Sequence, residues 1–200
     1  WLGGKDNYPA DRALGEAILR DFPEMGLVAR AQRTFLDRVV TYLATERGVR
    51  QFLDLGTGLP THNTTPEIAQ KVAPEARVVY VDNDPLVLAH ARALLVSTDE
   101  GATAYVDEDV RNTEAVLTQA SKTLDLEQPV AVTTLGILAH MLDEDAYPLV
   151  RSYTAALPSG SFLAVADSTD TGEGMRKAAE AWNADASLPY HLRSVEGITA

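Results

Sequence analysis

The sequence contains no cysteine, few histidines and no long apolar run, and each absence excludes a class of protein. Without cysteine, its 200 residues can form neither a disulfide nor a thiolate-bound zinc site. The four histidines are scattered along the chain, so we expect no metal centre. No apolar run is long enough to cross a bilayer, and no secretory leader is recognisable. We therefore expect a cytoplasmic protein without membrane contact, whose chemistry depends on a bound cofactor or on ordinary acid–base groups.

Positive charge is scarce as well. Lys and Arg number 17 against 29 Asp and Glu, which gives a formal net charge of −12. A chain of this charge repels the phosphate backbone of nucleic acids. We therefore expect no nucleic-acid partner and favour a small-molecule substrate.

The hydrophobic content indicates one domain. Hydrophobic residues make up 46% of the 200 residues, which is enough for one core. We predict a single domain over 1–200, with an N-terminal lid and helices at 1–48 and the core at 49–200.

Apolar strand patterns alternate with helical patterns along the core. Strands are predicted at 50–55, 76–82, 102–109, 129–136 and 161–168. Helices are predicted at 66–73, 85–96, 113–124, 145–157 and 173–185. Near-continuous apolar strands separated by helices are typical of a parallel sheet that is covered on both faces. We therefore predict an α/β fold with a doubly wound, mainly parallel, Rossmann-like sheet.

The residues before the core predict an N-terminal helical cap. Residues 1–10 combine glycines with aromatics and no regular period, and we expect them to pack over a site as a loop. Asp11 is predicted to be the N-cap of a first helix that runs through Phe22. A second helix is predicted at 24–47. Its apolar stripe is predicted to consist of Leu27, Val28, Ala31, Phe35, Val39, Tyr42 and Leu43.

A glycine turn follows the first predicted strand. Phe52 to Leu55 lead into Gly56-Thr57-Gly58, and a helical pattern begins at Pro66. Glycine can adopt positive φ and lets a ligand approach the backbone, and the following helix offers free N–H groups. The turn predicts a nucleotide-type cradle; the alternative is an ordinary connection between a strand and a helix.

Acidic residues stand at the ends of three successive predicted strands. They are Asp54, then Asp82 with Asn83, then the run from 107 to 109 that includes Asp109. Carboxyl ends of parallel strands meet at one edge of a sheet, where ligands of such sheets bind. Asp82 is placed to accept hydrogen bonds from the 2′ and 3′ hydroxyls of a ribose. The alternative for any one of these acids is a cap of the next helix.

The turn also distinguishes between cofactors. A dinucleotide fold requires a third glycine, but the positions after Gly58 are Leu59, Pro60 and Thr61. An acid just before the glycines would repel a pyrophosphate. This argues against a nicotinamide oxidoreductase and favours a ligand with positive charge and a ribose, such as S-adenosylmethionine.

Several segments carry a family resemblance. D-L-G-T-G, Y-V-D-N-D-P, D-E-D-V-R and the strand through T-T-L-G resemble the successive motifs of class I S-adenosylmethionine-dependent methyltransferases. More narrowly, W-L-G-G-K-D-N-Y, A-R-A-Q-R-T-F-L and R-V-V-Y-V-D-N-D-P-L-V-L-A-H-A-R resemble an actinobacterial family first catalogued as a domain of unknown function and later filed as S-adenosyl methyltransferases. The resemblance covers nearly the whole chain. It implies the fold and S-adenosylmethionine as cofactor, and it implies no substrate.

The resemblance also implies a set of cofactor-binding residues. Those in the core are Asp54, Gly56 and Gly58 beside the methionine portion, Asp82 at the ribose, and Asn83, Asp109, Val110 and Leu135 around the rest of the cofactor. Those before the core are Gly3, Gly4, Lys5 and Asn7 in a lid, and Arg30 at the methionine carboxylate.

His140, just after the fourth predicted strand, is the best candidate for a catalytic base. Histidine titrates near neutrality, and a base is needed only when the acceptor starts protonated. The alternative for His140 is a role in helix packing or capping. At the level of function, the alternative to an enzyme is a non-catalytic S-adenosylmethionine-binding module with a regulatory or interaction role.

The last stretch of the sequence lacks room for further strands. After the helix at 173–185 only a short remnant precedes Ala200. A class I methyltransferase sheet usually has two more strands, so the fifth strand is expected to lie at an exposed edge. We expect this edge to be covered by chain that continues beyond Ala200 or by a second copy in a homo-oligomer.

Overall fold

The computed structural model describes residues 1–4, 7–60, 63–94, 97–186 and 188–199. The predicted lid residue Lys5 therefore lies outside the described residues. The chain forms two compact units. One, which we call the terminal unit, comprises 1–35, 136–142 and 166–200; the other, the sheet unit, comprises 36–135 and 143–165. The prediction of a single domain over 1–200 stays a prediction.

The described residues form a five-stranded sheet in the order β3-β2-β1-β4-β5. The strands are β1 Gln51–Leu55, β2 Arg77–Asp82, β3 Ala102–Asp107, β4 Ala131–Leu135 and β5 Phe162–Ala166. The helices are α1 Pro9–Asp21, α2 Met25–Thr45, α3 Thr65–Val72, α4 Pro85–Leu94, α5 Thr113–Ala120, α6 Asp143–Ala155, α7 Glu173–Asp185 and α8 Val195–Thr199. β1 pairs in parallel with β2 and β4, and β2 with β3. The predicted doubly wound, mainly parallel sheet is confirmed.

The central strands explain why the sheet is parallel and enclosed. All five residues of β1 are buried, as are the four middle residues of β2. Apolar side chains on both faces of a strand can be buried only when helices cover both faces. Leu36 and Val40 of α2 pack with Phe52 and Val78 in the main core cluster.

The apolar stripe predicted for α2 is partly wrong. Leu27 is 59% exposed and Tyr42 is 50% exposed, whereas Leu36 is 3% exposed and Val40 is fully buried. Neighbouring residues of a helix differ by about 100° in direction, so an error of one position moves the buried face by more than a quarter turn. Leu43 belongs to both the predicted and the observed face.

The start of α1 differs from its prediction. Tyr8 occupies the N-cap position, and Asp11 lies in the first turn of the helix. The Asp11 carboxylate accepts a hydrogen bond from the backbone N–H of Tyr8, at 2.7 Å. An acid is favourable both at the N-cap and in the first turn, because both positions face the free N–H groups of the helix end.

The terminal unit is built on the packing of α1 against α7. A Cβ atom on Gly174 would lie 2.5 Å from Cδ2 of Phe22, so glycine allows the close approach of these helices. After α7, Arg193 forms a β-bridge with Thr169, which precedes α7, and α8 follows. Among the residues that the structure describes, no helix is long and apolar enough to cross a membrane.

β5 lies at the edge of the sheet formed by the described residues. Its residue Leu163 is 38% exposed. The covering of this edge by further chain or by a second copy stays a prediction.

Candidate functional site

The glycine turn after β1 has the backbone conformation that the sequence predicts. Gly56 and Gly58 have φ of +70° and +61°. The backbone N–H of Gly56 donates to the Val81 carbonyl at 2.8 Å, which ties the turn to β2. A Cβ atom on Gly58 would meet no heavy atom within 4 Å, so the space beside this glycine is open. Glycine is therefore favoured at this position by the positive φ rather than by crowding, and the open space leaves room for a ligand.

Asp82 at the end of β2 is bonded directly to this turn. Its Oδ2 accepts a hydrogen bond from the backbone N–H of Gly58 at 2.8 Å, and its Oδ1 accepts one from the N–H of Asp84 at 3.0 Å. Each carboxylate oxygen has two lone pairs, so each keeps one acceptor position. Asp82 is half-buried and Asn83 beside it is exposed. The structure thus orients a carboxylate with two remaining acceptor positions at the strand end.

A second carboxylate lies beside Asp82 on the neighbouring strand. The register of β2 and β3 pairs Asp82 with Asp107. The predicted delivery of acids to one edge of the sheet is confirmed for these two strands. Two adjacent carboxylates create a negative potential that favours a cationic ligand.

Asp54 differs from the other acids because it is buried, at 7% exposure. Its Oδ1 accepts a hydrogen bond from Thr133 Oγ1 and its Oδ2 one from Thr65 Oγ1, both at 2.7 Å. Burial, followed by the charge of Asp54, raises the pKa of Tyr80 well above its ordinary value. Asp54 therefore links β1, β4 and α3 as well as carrying negative charge.

Two hydroxyl groups near Asp82 were not predicted from the sequence. Thr57 Oγ1 and the phenol oxygen of Tyr105 are both buried, and neither has a hydrogen-bond partner among the described residues. Burial, followed by the charge of Asp82, raises the pKa of Tyr105, while a side-chain interaction with the Thr57 hydroxyl lowers it, so the two hydroxyls lie close together without the geometry of a hydrogen bond. Buried polar atoms are normally bonded, so such a pair indicates a place where a ligand supplies the missing partners. The only signal in the sequence was the position of Thr57 between the two glycines.

Asp109 and Val110 follow β3, where the resemblance implies the adenine edge. The guanidinium of Arg111 forms a forked pair with Asp109, with Nε 2.9 Å from Oδ1 and the terminal nitrogen 2.5 Å from Oδ2. These hydrogen bonds hold the pKa of Asp109 below its usual value. Val110 is 6% exposed, and its carbonyl accepts a hydrogen bond from the Tyr153 phenol at 2.8 Å. The backbone here is fixed in place, and Leu135 at the end of β4 is half-buried.

The predicted residues before the core lie in the terminal unit. Gly3 has φ of +80°, and the Asn7 side chain donates to the Gly4 carbonyl at 3.0 Å. Arg12 in turn donates to the Asn7 side chain at 2.8 Å. Arg30 on α2 is exposed. These contacts order the first residues of the chain against the start of α1.

His140 ends a short 3₁₀ helix, Leu138–His140, in the same unit. Its Nδ1 lies 2.8 Å from the Pro189 carbonyl oxygen. The ring centroids of Tyr190 and Trp182 lie 5.4 and 5.9 Å from that of His140. The imidazole is therefore held on one nitrogen, and it packs beside two aromatic rings that also contact each other, with a distance of 5.9 Å between their centroids.

Asp167, directly after β5, is an acid that was not predicted as part of the site. Its Oδ1 accepts a hydrogen bond from the Ser168 N–H at 3.2 Å, whereas Oδ2 is buried without a partner among the described residues. Burial raises the pKa of Asp167 to about 6. No pattern in the sequence distinguished it from the acids at the other strand ends.

The predicted site residues divide between the two units. Asp54, the glycine turn, Asp82, Asn83, Asp109, Val110 and Leu135 belong to the sheet unit. Gly3, Gly4, Asn7, Arg30 and His140 belong to the terminal unit. In the part of the chain that the structure describes, no group of three or more metal-ligating side chains is found.

A doubly wound parallel sheet whose acids and glycine turn meet at the strand ends is the architecture of S-adenosylmethionine-dependent methyltransferases. The plantazolicin methyltransferase BpumL, solved in complex with SAH, shares this fold with a TM-score of 0.52 at 13% identity, over 90% of this chain and 59% of that one. The chain itself belongs to the S-adenosyl methyltransferase family, whose model matches residues 1–200.

Two solved structures resemble the chain closely. A DUF574 family protein from Streptomyces avermitilis MA-4680 is 45% identical, with a TM-score of 0.95, over 99% of this chain and 77% of that one. A protein from Thermobifida fusca YX, provisionally assigned as a methyltransferase, is 40% identical, with a TM-score of 0.90, over 98% of this chain and 74% of that one. No curated protein matches the sequence. The chain is thus an S-adenosylmethionine-dependent methyltransferase, which confirms the predicted family, fold and cofactor.

Proposed function

We propose that the sheet unit binds S-adenosylmethionine at the carboxyl ends of β1, β2 and β3, and that the methyl acceptor is a small molecule. The observation that carries this proposal is the Asp82 carboxylate, bonded to Gly58 and Asp84 and left with two acceptor positions beside an open glycine turn. The hydroxyls of Thr57 and Tyr105, buried without partners, support a polar ligand at the same place.

The chemistry of these residues fits the cofactor. The two ribose hydroxyls are donors, and the two remaining acceptor positions of Asp82 suit them. A sulfonium and an α-amine are cationic, and the carboxylates of Asp54, Asp82 and Asp107 attract positive charge. Asn83, Asp109 and Val110 border the adenine in this proposal, and Gly56, Gly58 and Leu135 border the remainder.

The other proposed groups are those that the family resemblance implies outside the sheet unit, together with His140. Gly3, Gly4, Lys5 and Asn7 form a lid over the cofactor, and Arg30 pairs with its methionine carboxylate. His140 acts as the general base for an acceptor that starts protonated. The bound cofactor supplies a methyl group activated by the sulfonium, so the protein contributes mainly position and exclusion of water.

The proposal of a small acceptor rests on charge. A net charge of −12 disfavours a nucleic-acid substrate. We further propose that the protein acts in the cytoplasm, since its 200 residues contain no cysteine for the disulfides of an oxidising compartment. A second copy that pairs along the edge strand β5 would make it a homo-oligomer.

A turnover assay separates this proposal from a non-catalytic binding module. The protein is incubated with S-adenosylmethionine and fractions of a metabolite library, and release of S-adenosylhomocysteine is followed. Acceptor-dependent release that falls in the His140→Gln variant supports an enzyme with a histidine base. Tight cofactor binding without release in any fraction would favour the binding module.

A further inference from the structure

The terminal unit contains a cavity of about 430 Å³, and every described residue that borders it belongs to this unit. Its walls are formed by α1, by Trp182 of α7, and by Trp1 and Asn7 ahead of α1. Cavities of roughly 300–1,000 Å³ with a mainly apolar lining and a few polar groups are typical of small-molecule sites. Of the described residues that border this cavity, only Asn7 has a proposed role in cofactor binding.

The wall formed by α1 is largely apolar. Leu14, Ile18 and Leu19 border the cavity, and Ile18 is only 1% exposed. Positions three and four apart lie on one side of a helix, so Leu14 and Ile18 stand in line with Asp11. Leu14 and Leu19 are half-buried. Covering apolar surface that faces water is favourable, so this wall favours a ligand with an apolar body.

Aromatic rings form two further parts of the wall. The Trp1 indole N–H donates to the Gly15 carbonyl at 3.3 Å, and a Cβ atom on Gly15 would lie 3.5 Å from the same nitrogen. The indole therefore lies directly against α1. The Trp182 indole N–H donates to the Leu188 carbonyl at 2.7 Å. Trp182 is half-buried and also packs against Tyr190, so Trp1, at 44% exposure, presents the more accessible ring.

Acidic side chains outnumber basic ones at the cavity, where Asp11 and Glu16 stand against Arg12. Nη1 of Arg12 is already bonded, because it donates to the carbonyl and to Oδ1 of Asn7, both at 2.8 Å. Oδ2 of Asp11 accepts the Tyr8 N–H. Glu16 is exposed and makes no hydrogen bond or ion pair within the described residues. An excess of carboxylates, one of them unpaired, favours a cationic ligand.

We propose that this cavity binds a small organic cation, an ammonium group carried on an apolar body, as a ligand distinct from the cofactor. Its charge pairs with Glu16 and lies against the indole of Trp1, and its body covers Leu14. Indole faces attract ammonium groups, so the carboxylate and the ring act on the same charge. Neither the proposed ribose contact of Asp82 nor the proposed role of His140 is required.

Tryptophan fluorescence reports on this cavity selectively, because Trp1 and Trp182 are the two tryptophans of the 200-residue chain. The probes are phenethylamine, neutral phenethyl alcohol and anionic phenylpropanoate, which share a phenyl ring and differ in charge. They are titrated without cofactor, and calorimetry is run in parallel. We expect phenethylamine to bind saturably and at least about fivefold more tightly than the alcohol, with phenylpropanoate weakest. Equal affinities, a preference for the anion, or no saturable binding of phenethylamine would overturn the proposal.

Variants test the two groups that hold the charge. Glu16→Gln should weaken phenethylamine binding about 2- to 5-fold and leave the alcohol unaffected. Glu24→Gln is the matched control, because it makes the same change at an exposed acid of the terminal unit that does not border the cavity. Equal effects of these two variants would show a general potential and no specific site.

The aromatic contribution is tested at Trp1, with calorimetry because one fluorophore is lost. Trp1→Leu should weaken phenethylamine binding about 2- to 10-fold, and Trp1→Phe, which keeps a ring, should weaken it less. Urea unfolding of each variant checks that the terminal unit stays folded. Unchanged affinity in both Trp1→Leu and Glu16→Gln would place phenethylamine elsewhere and overturn the proposal.

S-adenosylmethionine is itself a cation, so the two ligands are separated by competition. We expect saturating S-adenosylhomocysteine to change the dissociation constant of phenethylamine by less than about twofold, and Glu16→Gln to change that of S-adenosylmethionine as little. Competitive displacement of phenethylamine by S-adenosylhomocysteine would assign the cavity to the cofactor, which overturns the proposal and leaves methyl transfer in place. Failure of S-adenosylmethionine to bind would count against the proposed function alone.

Discussion

The role of Asp82 can be tested by replacing it with asparagine, which keeps the shape of the side chain and removes its charge. Each oxygen of Asp82 accepts one backbone N–H, from Gly58 at 2.8 Å or from Asp84 at 3.0 Å. Asparagine retains one acceptor oxygen and presents an NH₂ group in place of the other. One ribose hydroxyl then loses its acceptor, and one backbone N–H faces another donor.

The expected loss follows from those contacts. A hydrogen bond to a charged group contributes about 1.5–3 kcal/mol, which corresponds to roughly a 10- to 150-fold weaker affinity for S-adenosylmethionine. The loss from Asp82→Ala should be at least as large. Asp84→Asn is the matched control, because it removes the same charge nearby and its side-chain oxygen still accepts from the Leu86 N–H, now 2.8 Å away. We expect Asp84→Asn to change the affinity by less than about threefold, since the charge of an exposed side chain is screened by salt.

The assay is isothermal titration calorimetry with S-adenosylmethionine at fixed ionic strength. Urea unfolding of each variant without cofactor checks that the glycine turn and the fold survive. If Asp82→Asn folds normally and binds within threefold of the parent, Asp82 does not hold the ribose. If Asp82→Asn and Asp84→Asn weaken binding equally, the effect is the general potential of the acidic edge and not a specific contact.

Three further predictions concern single groups. Thr57→Val should weaken cofactor affinity about 2- to 10-fold in calorimetry. The stability of the free protein should be unchanged or higher, because the Thr57 hydroxyl is buried without a hydrogen-bond partner among the described residues. Stabilisation with unaltered affinity would show that Thr57 does not contact the ligand. The pKa of Asp167 is raised from 3.8 to about 6, so ionising it in the folded state costs up to about 3 kcal/mol. This cost is absent below about pH 3, where both states are protonated, and complete above about pH 7, where both are ionised. Urea unfolding should therefore find Asp167→Asn more stable than the parent at pH 7.5 but not at about pH 3; equal gains at both would contradict the assignment. Gly101→Ala should destabilise by about 1–3 kcal/mol in urea unfolding, because its Cβ would lie 2.6 Å from the Pro74 carbonyl oxygen, whereas Gly172→Ala, with no atom within 4 Å, should cost less.

The sequence was sufficient to predict the sheet and the position of the glycine turn. The four buried middle residues of β2 form a continuous apolar run, and Gly56 and Gly58 are separated by one residue, so both signals are local in the chain. Helix ends and faces were less predictable. Asp11 is favourable at the N-cap and within the first turn alike, so its residue type does not decide between the two. On α2 apolar residues occupy more than one face, and only packing against the sheet selects Leu36 and Val40.

The parts of the candidate site that escaped prediction depend on contacts between distant residues. Asp54 reads as a strand-end acid, but its carboxylate is satisfied by Thr65 and Thr133, the latter 79 positions along the chain. The buried hydroxyl of Tyr105 indicates a ligand site only because Asp82 lies near it on the neighbouring strand. Such relations are set by the strand register, and no local pattern encodes them.

A crystal structure of the protein with S-adenosylhomocysteine would test most directly whether Asp82 holds the ribose beside the glycine turn. We predict that both ribose hydroxyls lie within hydrogen-bond distance of the Asp82 carboxylate, while its bond to the Gly58 N–H is kept. We also predict that Thr57 or Tyr105 gains a polar partner from the ligand or from a water bound with it. A ribose placed away from Asp82, with the glycine turn free of ligand, would contradict the account.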